Sequence, residues 1–372
     1  MGNKAKCIFH VPNYVNLSGT SGSQVRPIKM IQAFENLGYD VDIVMGYGKE
    51  RKESIKRIKT KIKNGEKYDF LYSESSTMPT LLTEKNHLPC YPFLDFDFFN
   101  FCRKKAIKIG LFYRDIHWKF SHYRTKVPWY QKIITIPMYE YDLFQYKKCL
   151  DILYLPSKKV KAHLGNIEKN IKIDFLPPGA TRKEIADRTK QYSTSKEFLH
   201  VFYVGGVTGI YDFEYLLKVA KTRPFIKLIV CCRENEWNEV RDKYQKYLTE
   251  RVEIIHKSGK ELEKYYEAAD ICSCYFNPNI YMSMAIPIKL LEYMSYEVPV
   301  LVTQGTEAGE FVEKNECGFS IPYDENALEE LFDTLYNDQQ LLLDKYINIK
   351  KCVKENTWEK RAEKVIRDLV NE

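Results

Sequence analysis

The stretch PPGATRKEIADRTKQYSTSKEFLHVFYVGG, residues 177–206, decides how the chain is divided. Pro177, Pro178 and Gly179 punctuate it, because neither residue type readily continues a strand or a helix. Thr181–Lys196 is polar and lacks buried periodicity, and Phe198 then opens a short apolar run. The same pattern lies on both sides of this break. Before it come Cys7–Val11, Val41–Met45, Phe70–Tyr72, Ile107–Phe112, Ile152–Leu155 and Ile171–Leu176. After it come Leu199–Val204, Leu228–Cys231, Val252–Ile255, Ile271–Tyr275, Val298–Val302 and Gly318–Ile321. Such short runs, separated by amphipathic stretches such as Gln24–Leu37 and Pro128–Cys149, suit strands buried on both faces of a parallel sheet. Two series predict an α/β chain of two doubly wound, Rossmann-like domains facing across a cleft, with ligand sites at the carboxyl ends of the strands. The expected division is a first domain over 1–178, a linker over 179–197, a second domain over 198–352, and a terminal helix over 353–372 that is free to cross back to the first.

A length of 372 residues agrees with two domains, at ~150 residues each. Apolar residues at 44% and charged ones at 29% exclude a disordered chain, since enough apolar surface is present to offset ordering entropy. No run approaches the ~20 apolar residues that span a bilayer. The start MGNKAKCIFHVP has no apolar core or small-residue cleavage site, and Lys6 breaks a myristoylation pattern despite Gly2. Ten scattered cysteines, including the adjacent Cys231 and Cys232, show no paired CxxC spacing. Reduced thiols in a cytoplasmic setting are expected.

The charge is uneven. Overall 57 Lys and Arg face 50 Asp and Glu, a surplus of +7, but residues 101–148 alone carry eleven against three, and residues 49–67 nine against three. A basic first half points to an anionic partner. The modest total and the absence of a reader motif argue against nucleic acid. Trp118–Lys148, with Tyr123, Trp129, Tyr130 and Tyr139, reads in two ways. It is either an interfacial surface meeting an anionic membrane from the cytoplasmic side, or a core helix with a solvated basic face.

Three places carry candidate chemistry. Strand Leu199–Val204 runs into Gly205–Gly206–Val207–Thr208–Gly209, a turn whose amides can approach phosphate oxygens. Pro287–Met294 opens a helix with Lys289 and Glu292 on one face, suited to a diphosphate and to ribose hydroxyls. Strand Ile107–Phe112 ends in Tyr113–Arg114–Asp115–Ile116–His117–Trp118, where Asp115 and His117 are placed to orient or accept a proton. Asp95–Phe96–Asp97 spells D-x-D, which in another setting would hold a divalent metal. A second complete βα series leaves that reading without support, so a solvated loop and no metal are expected.

These stretches together resemble the GT-B-fold glycosyltransferases, in particular the retaining family 4 (group 1) enzymes. The likeness is carried by YVGGVTGIYDFEYLL (203–217), KLIVCCREN (227–235), VEIIHKSGKELEKYYEAADICSCYF (252–276), IPIKLLEYMSYEVPVLVT (286–303) and AGEFVEKNECGFSIPYDENALEELF (308–332). In the first half GSQVRPIKMIQAFENLGYDVDIV (22–44), EYDLFQYKKCLDILYLPS (140–157) and DFLPPGA (174–180) are similar too. The resemblance implies transfer of a sugar from a UDP- or GDP-sugar to a glycan or lipid-linked acceptor, without metal or other cofactor, in bacterial surface polysaccharide or glycolipid synthesis. It implies that Glu292 holds the ribose, while Met284 stands where the family has a first glutamate. Gly206 and Gly209–Ile210 replace the family's Arg and Lys, so Lys289 and then Arg233 are expected to meet the diphosphate. Gly22, Ser23, Gly205, Gly206, Thr208, His256 and Glu310 complete the expected donor site, and Arg26 and Trp118 are expected at the acceptor or cleft. Asp115 and His117 are the implied catalytic pair. A nucleotide-sugar epimerase on the same scaffold, or a non-catalytic scaffold member, is the alternative.

Overall fold

The computed structural model describes residues 4–370, apart from 18, 20, 21, 166–170, 190, 191, 193–195 and 210. It contains two six-stranded parallel sheets. The first is built from β1 (Lys6–His10), β2 (Asp40–Val44), β3 (Phe70–Glu74), β4 (Lys108–Phe112), β5 (Ile152–Leu155) and β6 (Lys172–Phe175), in the order 2-1-3-4-5-6. The second is built from β7 (Leu199–Val204), β8 (Ile226–Cys231), β9 (Val252–Ile255), β10 (Ile271–Cys274), β11 (Val300–Thr303) and β12 (Gly318–Ile321), in the order 12-11-10-7-8-9. The expected doubly wound α/β class is therefore what the chain adopts. Every expected run is a strand, with ends moved by at most two residues.

Each sheet reverses its strand order once, between β1 and β3 in the first and between β7 and β10 in the second. Loops that leave neighbouring strands in opposite directions open a crevice at such a point, which is where doubly wound sheets bind ligands. The loop after β1 leads to the helix Gly22–Asn36, and β3 ends at Glu74. The loop after β7 is the glycine turn, and the loop after β10 leads to the helix Ile288–Ser295.

Residues up to Pro178 and from Trp358 onward form one compact unit, and Gly179–Thr357 form the other. The helix Trp358–Val370 belongs to the first unit because Trp358, Ala362, Val365 and Leu369 recur at helical spacing and bury among Phe9, Phe34, Tyr72 and Tyr154. Gly110 of β4 makes room for it, since a Cβ there would lie 2.9 Å from the Tyr154 ring and 3.0 Å from Leu369. The polar stretch 181–196, of which 190, 191 and 193–195 lie outside the described residues, is not free of buried groups. Tyr192 sits in the second core. Arg188 is buried and donates to the carbonyls of Tyr266, Glu267, Ala269 and Tyr296. Its side chain supplies a donor to carbonyls at the ends of the helices Glu263–Ala268 and Ile288–Ser295.

The D-x-D sequence is not a solvated loop. It forms the first turn of the helix Leu94–Lys104, where residues two apart point to different sides. Asp95 is buried and accepts from His10 at 2.8 Å and from Arg51 Nε at 3.0 Å. Burial opposes its ionisation, but those two partners outweigh it and hold the carboxyl below its usual range. Burial also lowers His10, so the imidazole stays neutral between Asp95 and Ser73.

Candidate functional site

The second unit gathers its expected donor residues around one strand end. Gly205 follows β7 with φ at +151°, a conformation only glycine adopts easily. Space is tight as well, because a Cβ would lie 3.0 Å from both Lys289 Nζ and Tyr203 Oη. The Tyr203 hydroxyl donates to the Gly206 carbonyl, and the Val207 amide donates to Glu236 Oε2 at 3.3 Å. The turn is thus pinned from below by a buried tyrosine and from the side by a carboxylate. Thr208 is half-buried on the same turn, next to Gly209, and Ile210 lies outside the described residues.

Lys289 arrives from the first turn of the helix Ile288–Ser295, which Pro287 precedes. Its ammonium lies 4.2 Å from the Phe276 ring centroid, 4.5 Å from Tyr203 and 5.3 Å from Tyr211. Three rings wall in one cation. Its hydrogen bond is a long one of 3.5 Å to Tyr203 Oη, and no carboxylate forms an ion pair with it among the described residues. The residue as a whole is half-buried while the ammonium end is enclosed, so desolvation brings its pKa down to about 8. Ring quadrupoles stabilise such a cation only in part. An anion at the glycine turn would complete it.

Other expected residues take less central places. Arg233 is exposed and pairs with the carboxylate that also holds the turn, its Nη1 lying 2.5 Å from Glu236 Oε1. Glu292 is exposed one turn beyond Lys289. Met284 is buried, so no side-chain charge stands at that position. His256 is exposed beyond β9, two strands from β7, and its Nδ1 lies 2.8 Å from the Cys232 carbonyl. Glu310 is exposed in the helix Glu307–Asn315, beyond β11, whose start is capped by Thr306 accepting from the Gly309 amide at 2.9 Å.

The first unit's candidates sit at the carboxyl ends of β3 and β4. Asp115 Oδ1 accepts from the His117 amide at 2.9 Å, and its Oδ2 lies 3.4 Å from His117 Nδ1. The Nε2 atom of His117 faces Tyr139 Oη at 3.4 Å, and Tyr123 and Tyr139 pack edge-on against the ring. Both members of the pair are half-buried, so it keeps an open side. Arg114, one residue earlier, turns the other way. It donates to Glu74 Oε2 at 2.8 Å, to the Ser75 carbonyl at 3.1 Å and to the Gly22 carbonyl at 3.3 Å. Gly22 is exposed and Ser23 half-buried at that helix start.

Arg26 and Trp118 are corrections as acceptor contacts, since both are buried inside the first unit. Arg26 donates to Glu74 Oε1 at 3.2 Å and lies 3.5 Å over the Phe112 ring. Trp118 stacks on Tyr139 at 5.0 Å and donates to Tyr113 Oη at 3.2 Å. Sequence reasoning missed Glu74, which joins two arginines in the core, and missed the rings around Lys289. Glu74 did carry a signal, as an acid closing a mostly apolar strand. It also missed Asp142, a buried carboxylate that accepts from the Thr80 amide at 2.7 Å. Its Oδ1 has no partner among the described residues, and burial lifts its pKa to about 7.

Comparison with known proteins matches residues 184–355 to the family described as Glycosyl transferases group 1. No curated protein sequence matches the chain. Among solved structures, sucrose-phosphate synthase from Thermosynechococcus elongatus superimposes with a TM-score of 0.63 at 16% identity, covering 97% of each chain. WaaG, a glycosyltransferase involved in lipopolysaccharide biosynthesis, gives 0.61 at 14%, covering 98% of this chain and 100% of that one. Anabaena HepE in complex with UDP-glucose gives 0.62 at 10%, with the same coverage. At these identities the likeness establishes the shared fold.

Proposed function

We propose that this chain, whose residues 184–355 match the group 1 glycosyl transferases, is a glycosyltransferase that takes its sugar from a UDP- or GDP-linked donor. The acceptor is a glycan or a lipid-linked saccharide, and the setting is bacterial surface polysaccharide or glycolipid synthesis. One observation carries the reading: the Lys289 ammonium beside Gly205, walled by three rings and without a carboxylate partner among the described residues. A cation held that way suits a diphosphate.

In the proposed reaction the bond between the donor's anomeric carbon and the diphosphate oxygen breaks, and the acceptor oxygen bonds to that carbon. The acceptor proton leaves toward the diphosphate. Negative charge grows on the departing diphosphate, where Lys289 and the amides of the glycine turn stabilise it without reorganising. Glu292 is assigned to the ribose hydroxyls. Asp115, fixed by the His117 amide, is assigned with that imidazole an orienting role in the first domain, the proton itself passing to the diphosphate. Retention of anomeric configuration and metal independence are part of the proposal. So are Gly22 and Ser23 as phosphate-side residues.

Titration calorimetry with UDP, GDP and ADP, followed by a screen of the matching nucleotide sugars for slow donor hydrolysis, tests this reading. Binding of UDP or GDP with hydrolysis of one of its sugars is expected. Binding to none of the three would favour a scaffold role, and sugar inversion without acceptor would favour an epimerase.

A further inference from the structure

The helix Trp129–Cys149 turns an apolar face to water. Its inward side carries Tyr139, Asp142, Leu143 and Tyr146, all buried. Its outward side carries Trp129 at 71% exposure, Ile133 at 65%, Tyr130 at 54%, and Ile134 and Phe144 at 53% each. With ~100° between successive residues these five fall within an arc of roughly 140°, along a helix ~30 Å long. Pro137 lies inside the helix and is exposed on the same arc; its ring removes the helical bond to the Ile133 carbonyl. Glu140, Lys147 and Lys148 are the charged residues on this arc, and Lys148 lies 3.9 Å over the Phe144 ring. Single exposed apolar residues are ordinary, but a continuous aromatic and branched stripe marks an interaction surface.

The surrounding charge identifies what covers it. Arg124 and Lys126 are exposed immediately before the helix, and Lys132 reaches back to the Arg124 carbonyl at 2.6 Å. Residues 101–148 as a whole carry eleven cations against three anions. Face-to-face pairing with a second copy would set this basic region against itself. An anionic bilayer offers the complementary charge and an apolar layer beneath it. We propose that the helix Trp129–Cys149 docks lengthwise on an anionic lipid surface. Trp129 and Tyr130 lie at headgroup depth, Ile133, Ile134 and Phe144 lie below them, and the flanking Lys and Arg reach the lipid phosphates. No described helix is long and apolar enough to cross a membrane, so this contact is peripheral. It rests on no part of the nucleotide site.

The molecule contains its own reporter. Of its four tryptophans, Trp118, Trp237 and Trp358 are buried at 3%, 6% and 4% exposure, leaving Trp129 in water. Full-length protein is mixed with vesicles of phosphatidylglycerol and phosphatidylcholine in equal parts, and separately with phosphatidylcholine alone. The mixed vesicles should shift the emission to the blue and sediment the protein, while the neutral ones should do neither. Combined Trp129→Ser and Ile133→Ser should lower sedimentation with the mixed vesicles ~tenfold or more, and nucleotide affinity should stay as in the parent chain. Three results would overturn the proposal: unmoved emission with anionic vesicles, an equal shift with neutral ones, or a dimer in solution that the double substitution dissolves.

Discussion

Two cation sites, one in each unit, hold positive charge in opposite ways. In the first, Arg26 and Arg114 meet one carboxylate, Glu74, which also accepts from Tyr72 Oη at 3.1 Å. In the second, Lys289 meets rings and a glycine turn but no acid among the described residues. A paired cation holds a fold together, whereas one held ready by packing alone gains most when an anion arrives. The difference separates residues that build the domain from residues that serve a ligand.

The largest effect belongs to the paired side. Glu74→Leu leaves two desolvated arginines facing each other and should cost ~3–5 kcal/mol of stability, read as a lost or sharply lowered melting transition. Lys289→Met should leave melting unchanged or raise it, because a cation that burial destabilises is removed. A melting loss as large as that of Glu74→Leu would erase the distinction between the two sites.

Asp115→Asn probes chemistry apart from binding. Turnover should fall ~100-fold, in the range for a misplaced orienting group, with nucleotide affinity intact by calorimetry. Full activity would remove Asp115 from the reaction. Glu292→Ala should weaken nucleotide binding ~tenfold, as expected for a lost charge-assisted hydrogen bond. Unchanged affinity would take Glu292 out of the ribose site.

Asp142 offers the acidic counterpart, a buried group without a cation. Its pKa is raised by burial to about 7, so the neutral form is the one the fold favours. That preference adds stability at acid pH, and the contribution is lost as pH rises from the ordinary carboxylate range through about 7. Asp142→Asn should therefore melt a few degrees higher than the parent at pH above about 7 and equally at pH near the ordinary carboxyl pKa. An equal difference at both pH values would contradict the assignment.

The strands were legible because burial on both faces forces each into one short apolar run, and Pro177–Gly179 marked the break. The helix at Ile288 was legible from Pro287 and the spacing of Lys289 and Glu292. The cage around Lys289 was not, because Tyr203, Tyr211 and Phe276 come from separate segments and meet only when β7 and β10 pair. Arg26 misled for the same reason: its partner Glu74 lies 48 residues away, so a charge beside a glycine loop looked free. Asp95 misled because a carboxylate near the start of a helix reads alike whether water or Arg51 faces it. Local pattern reports burial, while charge pairing is decided by topology.

The central claim, that Lys289 is held as a cation for a diphosphate, is tested most directly by nucleotide affinity as a function of pH. UDP and GDP are titrated by calorimetry into the parent chain and into Lys289→Met from neutral to alkaline buffer. In the parent, affinity should be steady below a pH of about 8, the pKa of the free ammonium. It should then fall toward ~tenfold per pH unit as the proton is lost. The variant should bind weakly at every pH with no such bend. Equal affinity and an identical pH profile in the two proteins would contradict the claim.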